Sequence, residues 1–119
     1  MIRIQRVYEA AAKGQEKRFL VERLWPRGIR KAALHLDGWL KEIAPSTELR
    51  RWFAHDPQKW PEFQRCYRQE LKANPAAWQP LRVAARRGAV TLLYSARDAE
   101  HNSALVLKAF LEKQLTAKR

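Results

Sequence analysis

This 119-residue chain contains one cysteine, one methionine and four glycines, and each scarcity removes a class of answers. With Cys66 alone there is no disulfide framework, no Cys-x-x-Cys pair and no thiolate cage, a usage that fits a reducing cytoplasm. The lack of any Gly- or Ser-rich tract leaves no linker, so residues 1–119 read as a single domain, long enough to bury about two-thirds of its unfolded surface. No apolar run approaches the roughly 20 residues a membrane span needs. Met1 is followed by Ile2-Arg3-Ile4 rather than an apolar signal core, so the expectation is a cytoplasmic protein with no membrane partner. A Walker loop, a dinucleotide fingerprint and metal-ligand spacing of His, Cys and carboxylates are also missing, so neither a cofactor nor a metal is expected.

Acidic residues are scarce as well: 12 Asp and Glu face 24 Lys and Arg, for a net charge of +12. That excess favours polyanions by counterion release, so sequence-independent nucleic-acid binding is one expectation whatever else the protein does. The cations are spread along the chain, in groups such as Arg23 to Lys31, Arg50-Arg51, Arg65 to Lys72 and Arg82 to Arg87. That spacing argues against a disordered basic arm and leaves two readings open, solvated helix faces or convergence on one surface.

Two β-type runs open the chain, Ile2 to Tyr8 and Lys17 to Leu24, joined by the short, alanine-containing segment Glu9 to Glu16. A helical crossover needs about 10 to 12 residues, so these runs are expected to pair antiparallel. Leu36, Trp39, Leu40 and Ile43 recur at helical spacing behind Asp37 and before Pro45, which predicts a short helix there. Ser46 reads as the N-cap of a second helix, with Glu48 in its first turn and Leu49, Trp52 and Phe53 along it. Asp56-Pro57 starts a third, whose Trp60, Phe63, Tyr67 and Leu71 share one face up to Asn74-Pro75. The stretch Trp78 to Arg87 is helical in pattern, starting no earlier than about Gln79 because of Pro80, with Gly88 as its C-cap. Ala89 to Ser95 reads as a central strand covered on both faces, and Asp98 as the cap of a last helix carrying Leu105, Val106, Leu107, Phe110, Leu111 and Leu115. The sum is an α/β domain with a small three-stranded mixed sheet flanked by about four to five helices.

The first strand exit worth chemical attention is Arg23-Leu24-Trp25-Pro26-Arg27-Gly28. Pro26 stops the ladder, Gly28 permits a positive φ, and Arg27 is a permanently charged fork suited to phosphate or carboxylate. The second is Ser95-Ala96-Arg97-Asp98, followed by His101-Asn102. In open α/β sheets polar sites gather beyond the carboxyl ends of strands, where both segments lie.

The runs Val21-Glu22-Arg23-Leu24-Trp25-Pro26-Arg27-Gly28, Ala44-Pro45-Ser46-Thr47-Glu48-Leu49-Arg50, Trp52-Phe53-Ala54-His55-Asp56-Pro57 and Thr91-Leu92-Leu93-Tyr94-Ser95-Ala96-Arg97-Asp98 resemble the YeaO-like branch of a bacterial and archaeal family classed as a domain of unknown function. The resemblance covers nearly the whole chain and implies no particular activity. Other branches have a comparable Pro-Arg after a strand, similar to Pro26-Arg27 here, and a later Cys-His-Arg cluster that suggests thiol chemistry. This chain departs there, with Tyr94 and His101-Asn102 in the corresponding region and Cys66 elsewhere.

The expected function is therefore binding, with or without turnover, of a small phosphate- or carboxylate-bearing ligand or nucleotide at the strand ends. In that reading Arg23, Trp25, Arg27 and Gly28 hold the anion with Ser95, Arg97, Asp98 and Asn102, and His101 exchanges a proton. Structural readings stand beside each: Arg23 paired with a carboxylate such as Asp98 or Glu70, Asp98 as a helix cap, His101 as a satisfied structural group, and His55 as part of a helix start. Of the five tryptophans, Trp39, Trp52 and Trp60 read as core, leaving Trp25 and Trp78 for ligand contact. The alternative function is a non-sequence-specific nucleic-acid-binding protein using its basic surface.

Overall fold

Four parallel strands form the sheet: β1 (Ile2–Arg6), β2 (Lys17–Leu20), β3 (Gly38–Trp39) and β4 (Val90–Tyr94), in the spatial order β1-β4-β2-β3. They belong to a computed structural model that describes residues 1–9 and 14–116. The α/β class stands, while the sheet has one strand more than expected and all of it runs one way. The first two strands are not antiparallel partners, because β4 lies between them and pairs with both, Ile2 and Lys17 each opposite Val90. A short connection excludes a helical crossover between neighbours, but it does not prevent two strands from flanking a third that arrives later in the chain. The alanine-rich part of that connection, 10–13, lies outside the described residues.

β4 is buried at every position, as its unbroken apolar run requires of a strand covered on both faces. Val90, Leu92 and Tyr94 join one core with Phe53 of α2 (Thr47–Phe53), Phe63 and Tyr67 of α3 (Trp60–Ala73), Leu81 of α4 (Pro75–Arg87) and Leu107 of α5 (Ser103–Thr116). Leu93 joins a second, smaller core with Val7, Leu20 and Leu34, the last on the four-residue helix α1 (Lys31–Leu34). Trp25, Ile29, Leu36 and Trp39 pack against it.

The predicted helix over Leu36 to Ile43 is instead β3 followed by a 3₁₀ turn, Lys41–Ile43. Pairing with β2 overrides the spacing: Asp37 and Leu40 donate their N–H groups to the carbonyls of Arg18 and Leu20. Gly38 permits this approach, since a Cβ there would lie 3.1 Å from a ring carbon of Phe19. α4 starts at Pro75, earlier than Pro80 suggested. Proline at the sixth helical position removes the single bond owed to the Ala76 carbonyl, while Trp78, Leu81 and Ala85 stay buried. Trp78 is thus core, its Nε1 donating to Leu71 O at 2.8 Å, and not a ligand contact. Trp52 is the tryptophan that faces outward, 42% exposed, with the Lys59 ammonium 5.1 Å from its ring centre.

α2 and α3 follow the sequence closely. Ser46 Oγ accepts from Leu49 N at 3.1 Å, and Glu70 holds both the Ser46 N–H and its hydroxyl. On α3, Phe63 and Tyr67 are buried and Trp60 is half-buried, Phe63 stacking on Phe53 with ring centres 4.3 Å apart. Among the described residues no helix is long and apolar enough to cross a membrane.

Phe63→Ala is expected to cost about 3 to 5 kcal/mol in denaturant melts, because the cavity would open between α2 and α3 where neither helix can collapse freely. A loss under about 1 kcal/mol would mean that this stack is not the core.

Candidate functional site

Because all four strands run the same way, their carboxyl ends share one edge, and the chain leaving β2 meets the chain leaving β4 there. Glu22 and Arg23 follow β2; Ser95 to Asp98 follow β4. Between these two exits and α2 lies a cleft of about 870 Å³, in the size range of small-molecule sites. Phe53 and Phe63 supply apolar wall, and Arg23, Arg50, Arg51 and Arg97 supply positive charge.

The four arginines are not equivalent. Arg23 is tethered: its guanidinium donates to Ala44 O at 2.9 Å and Pro45 O at 3.3 Å, and lies 3.7 Å from Glu42. It therefore straps the β2 exit to the segment before α2. Arg50, Arg51 and Arg97 form no side-chain hydrogen bond or ion pair among the described residues. Arg50 is half-buried and the other two are exposed.

Trp25, Arg27 and Gly28 lie apart from the cleft lining. Trp25 packs edge-on against Trp39 with ring centres 5.2 Å apart and donates its Nε1–H to Ile29 O. Arg27 is exposed, and its carbonyl accepts from the Tyr8 hydroxyl. Gly28 does adopt the positive φ anticipated, +78°. This loop covers the smaller core, while the three residues immediately before it, Glu22, Arg23 and Leu24, line the cleft.

Ser95, Arg97, Asp98, His101 and Asn102 all line the cleft. Asp98 does not cap α5, which begins at Ser103; it closes a separate turn by accepting the N–H groups of Glu100 at 2.9 Å and His101 at 3.1 Å. The helix cap is Asn102, whose Oδ1 accepts from Leu105 N and whose Nδ2 donates to Asp98 O. Asp98 Oδ2 also lies 2.9 Å from His101 Nδ1, which places the imidazole proton on Nδ1 when the acid is ionised and leaves Nε2 as acceptor. His101 is further fixed by Trp60, edge to face with centres 5.3 Å apart. The Glu100 N–H and then His101 hold the Asp98 carboxyl below the usual aspartate range.

Sequence reasoning missed Glu22, and it gave Arg50 and Arg51 no role in the site. Glu22 Oε2 accepts from Ser95 N at 2.9 Å, joining the two strand exits, and its backbone carbonyl accepts from Trp39 Nε1 at 2.6 Å. Burial pushes its carboxyl above the usual glutamate range, against the Ser95 N–H and hydroxyl and the nearby Arg50 and His55, which pull it down. A lone Glu between two arresting motifs carries no spacing signal; only the β2–β4 pairing reveals its place. His55 lines the cleft from an unusual backbone: Ala54 and His55 are consecutive non-glycine residues at positive φ, +48° and +59°, a cost of order 1 kcal/mol or more each. Cys66 lies on α3 outside the lining, and among the described residues no group of His, Cys, Asp and Glu is placed to hold a metal ion.

A parallel α/β domain with a basic cleft at its strand ends is the class these features define. The chain belongs to the DUF488 family, in the branch whose model, described as the inactive DUF488-N3 subclade, matches residues 1–119. Among its relatives is the uncharacterised protein YeaO of Escherichia coli K12, 44% identical over 110 residues that span 92% of this chain and 96% of the relative. The uncharacterised proteins Mb3100c of Mycobacterium bovis and Rv3073c of Mycobacterium tuberculosis H37Rv are each 39% identical over 110 residues, 92% of both chains. No solved structure matches the chain significantly.

Two outcomes follow from the local geometry. Ala54→Gly is expected to stabilise the fold by about 0.5 to 1 kcal/mol, since glycine relieves the positive φ at little steric cost; a loss in denaturant melts would contradict the strain. Because Asp98 has a lowered folded pKa, its contribution is present above the ordinary aspartate range and lost as pH falls through the folded value. The stability gap between the wild type and Asp98→Asn should therefore shrink as pH falls below the ordinary aspartate value of about 4 toward the lower folded value, read in melts at about pH 6 and about pH 2.5. A constant gap in melts at the two pH values would show that the ionised carboxylate contributes nothing.

Proposed function

We propose that the protein binds a small phosphate- or carboxylate-bearing ligand in the strand-end cleft. The observation that carries this reading is the convergence of Arg50, Arg51 and Arg97 on one concavity with their guanidinium groups unengaged among the described residues. Unpaired cations converging on a cleft of ligand size favour a compact anion over an extended polyanion, which would be served equally well by a broad stripe. Arg23 supports the wall, Ser95 and Asn102 hold the loop after β4, and the Asp98–His101 pair presents Nε2 as an acceptor. The description of the matched subclade as inactive favours binding without turnover.

Calorimetric titration with inorganic phosphate tests the reading. Arg50→Ala and Arg97→Ala should each weaken binding about tenfold or more, as loss of a charge-assisted contact does, with melting temperatures little changed because neither group forms a side-chain hydrogen bond or ion pair among the described residues. Arg27→Ala should bind as the wild type does. Unchanged affinity in the Arg50→Ala/Arg97→Ala double variant would remove the cleft from consideration. Binding to duplex DNA, driven by the +12 charge, should weaken steeply with salt and be nearly indifferent to the same two substitutions. Loss of DNA binding in step with phosphate binding would instead favour the cleft as part of a nucleic-acid surface.

A further inference from the structure

Glu22 is out of place in a site for a simple anion. A carboxylate beside the bound group repels it, and specificity often resides in such an opposing charge. The other carboxylate at the cleft, Asp98, is fully occupied by the N–H groups of Glu100 and His101 and by the His101 ring. Glu22 accepts from Ser95, its N–H at 2.9 Å and its hydroxyl, and no cation lies in contact with it among the described residues, although Arg50 lines the same cleft and draws its carboxyl toward the ionised form. It stands half-buried between the ends of β2 and β4, close enough to Arg50 of α2 to feel its charge, in a cleft that Arg51 and Arg97 also line.

We infer that the cleft takes a small zwitterion, a phosphate- or carboxylate-bearing molecule that also carries a protonated amine, with the anion on Arg50 and Arg97 and the amine on the Glu22 carboxylate. This rests on the anion-binding reading above and narrows its ligand class. The arrangement separates the two charges of the ligand as the cleft separates its own, and a ligand lacking the amine leaves a half-buried carboxylate facing an anion with no cation in contact. An incoming ammonium also favours the ionised form of a carboxyl that burial otherwise pushes toward the neutral one.

The probes are ethyl phosphate and O-phosphoethanolamine, matched phosphate monoesters of similar size of which only the second carries an amine, titrated by calorimetry at pH 7 and physiological salt. Long-range attraction to the basic rim favours ethyl phosphate, the more negative of the two, so a preference for phosphoethanolamine has to come from a local contact. The wild type should bind phosphoethanolamine about tenfold tighter or more, the scale of one charge-assisted contact. Glu22→Gln, which retains an oxygen for the Ser95 N–H, should erase that preference. Equal binding of the two probes, or a preference that survives Glu22→Gln, would overturn the zwitterion assignment while leaving the anion site standing. Failure of both probes to bind would overturn the two together. Should Glu22→Gln not fold, Glu22→Asp, which withdraws the charge by one methylene, takes its place and should reduce the preference.

Discussion

The burial of β4 between β1 and β2 is the constraint on which the rest depends. A five-residue strand with no exposed position can be satisfied only by partners on both sides and cover on both faces, and the chain supplies each from a different region. β1 and β2 come from the amino-terminal segment, α2 to α5 cover one face, and the segment around Trp25, Leu34 and Trp39 covers the other. Parallel pairing with β2 then has a geometric consequence: the two exits emerge side by side, and Val21 N bonds Leu93 O just before they part. The cleft is the space left where those exits diverge around α2.

Arginine does two different jobs in this fold. Arg18, 1% exposed, is built into the sheet: it contacts Glu16 and donates to the Leu34 carbonyl, fixing α1 against β2. Arg23 clamps two carbonyls ahead of α2, and Arg6 donates to Ala96 O across the loop after β4. A guanidinium suits such positions because its planar fork satisfies several carbonyls while its stem packs. Arg50, Arg51 and Arg97, by contrast, form no side-chain hydrogen bond or ion pair among the described residues, so the high net charge is partly structural and partly displayed at one edge.

The order around the cleft comes from one bond that crosses between the exits, Glu22 to Ser95, and from local bonds within the segment after β4: Asp98 to His101, Asn102 to Asp98 and Asn102 to Leu105. These hold the loop after β4 in a turn distinct from α5, so His101 is placed by the Asp98 carboxylate and the Trp60 ring rather than by helical geometry. His55, which follows α2, lines the cleft at a backbone conformation that non-glycine residues seldom adopt. Such conformations persist where surrounding structure over-determines them, here the α2 end and the Asp56 turn that follows directly.

The sequence by itself determined the local elements with strong start signals and one-sided patterns: α2 behind Ser46, α3 behind Asp56-Pro57, the central strand at Val90–Tyr94, and the positive φ of Gly28. Those are properties of a few neighbouring residues. Tertiary structure decided what depends on partners distant in the chain. Leu36 to Ile43 has helical spacing yet pairs with β2, because backbone bonds to Arg18 and Leu20 outweigh a weak helical preference around Gly38. The short link after β1 suggested antiparallel pairing until β4, some 80 residues later, came between. For the site, Arg97, Asp98 and His101 were legible because they follow a clear strand, whereas Glu22 and Arg50 became visible only once β2, β4 and α2 met. Arg27 draws the eye in a linear reading, but the side on which a loop residue emerges is set by what the loop packs against, and here that is the smaller core.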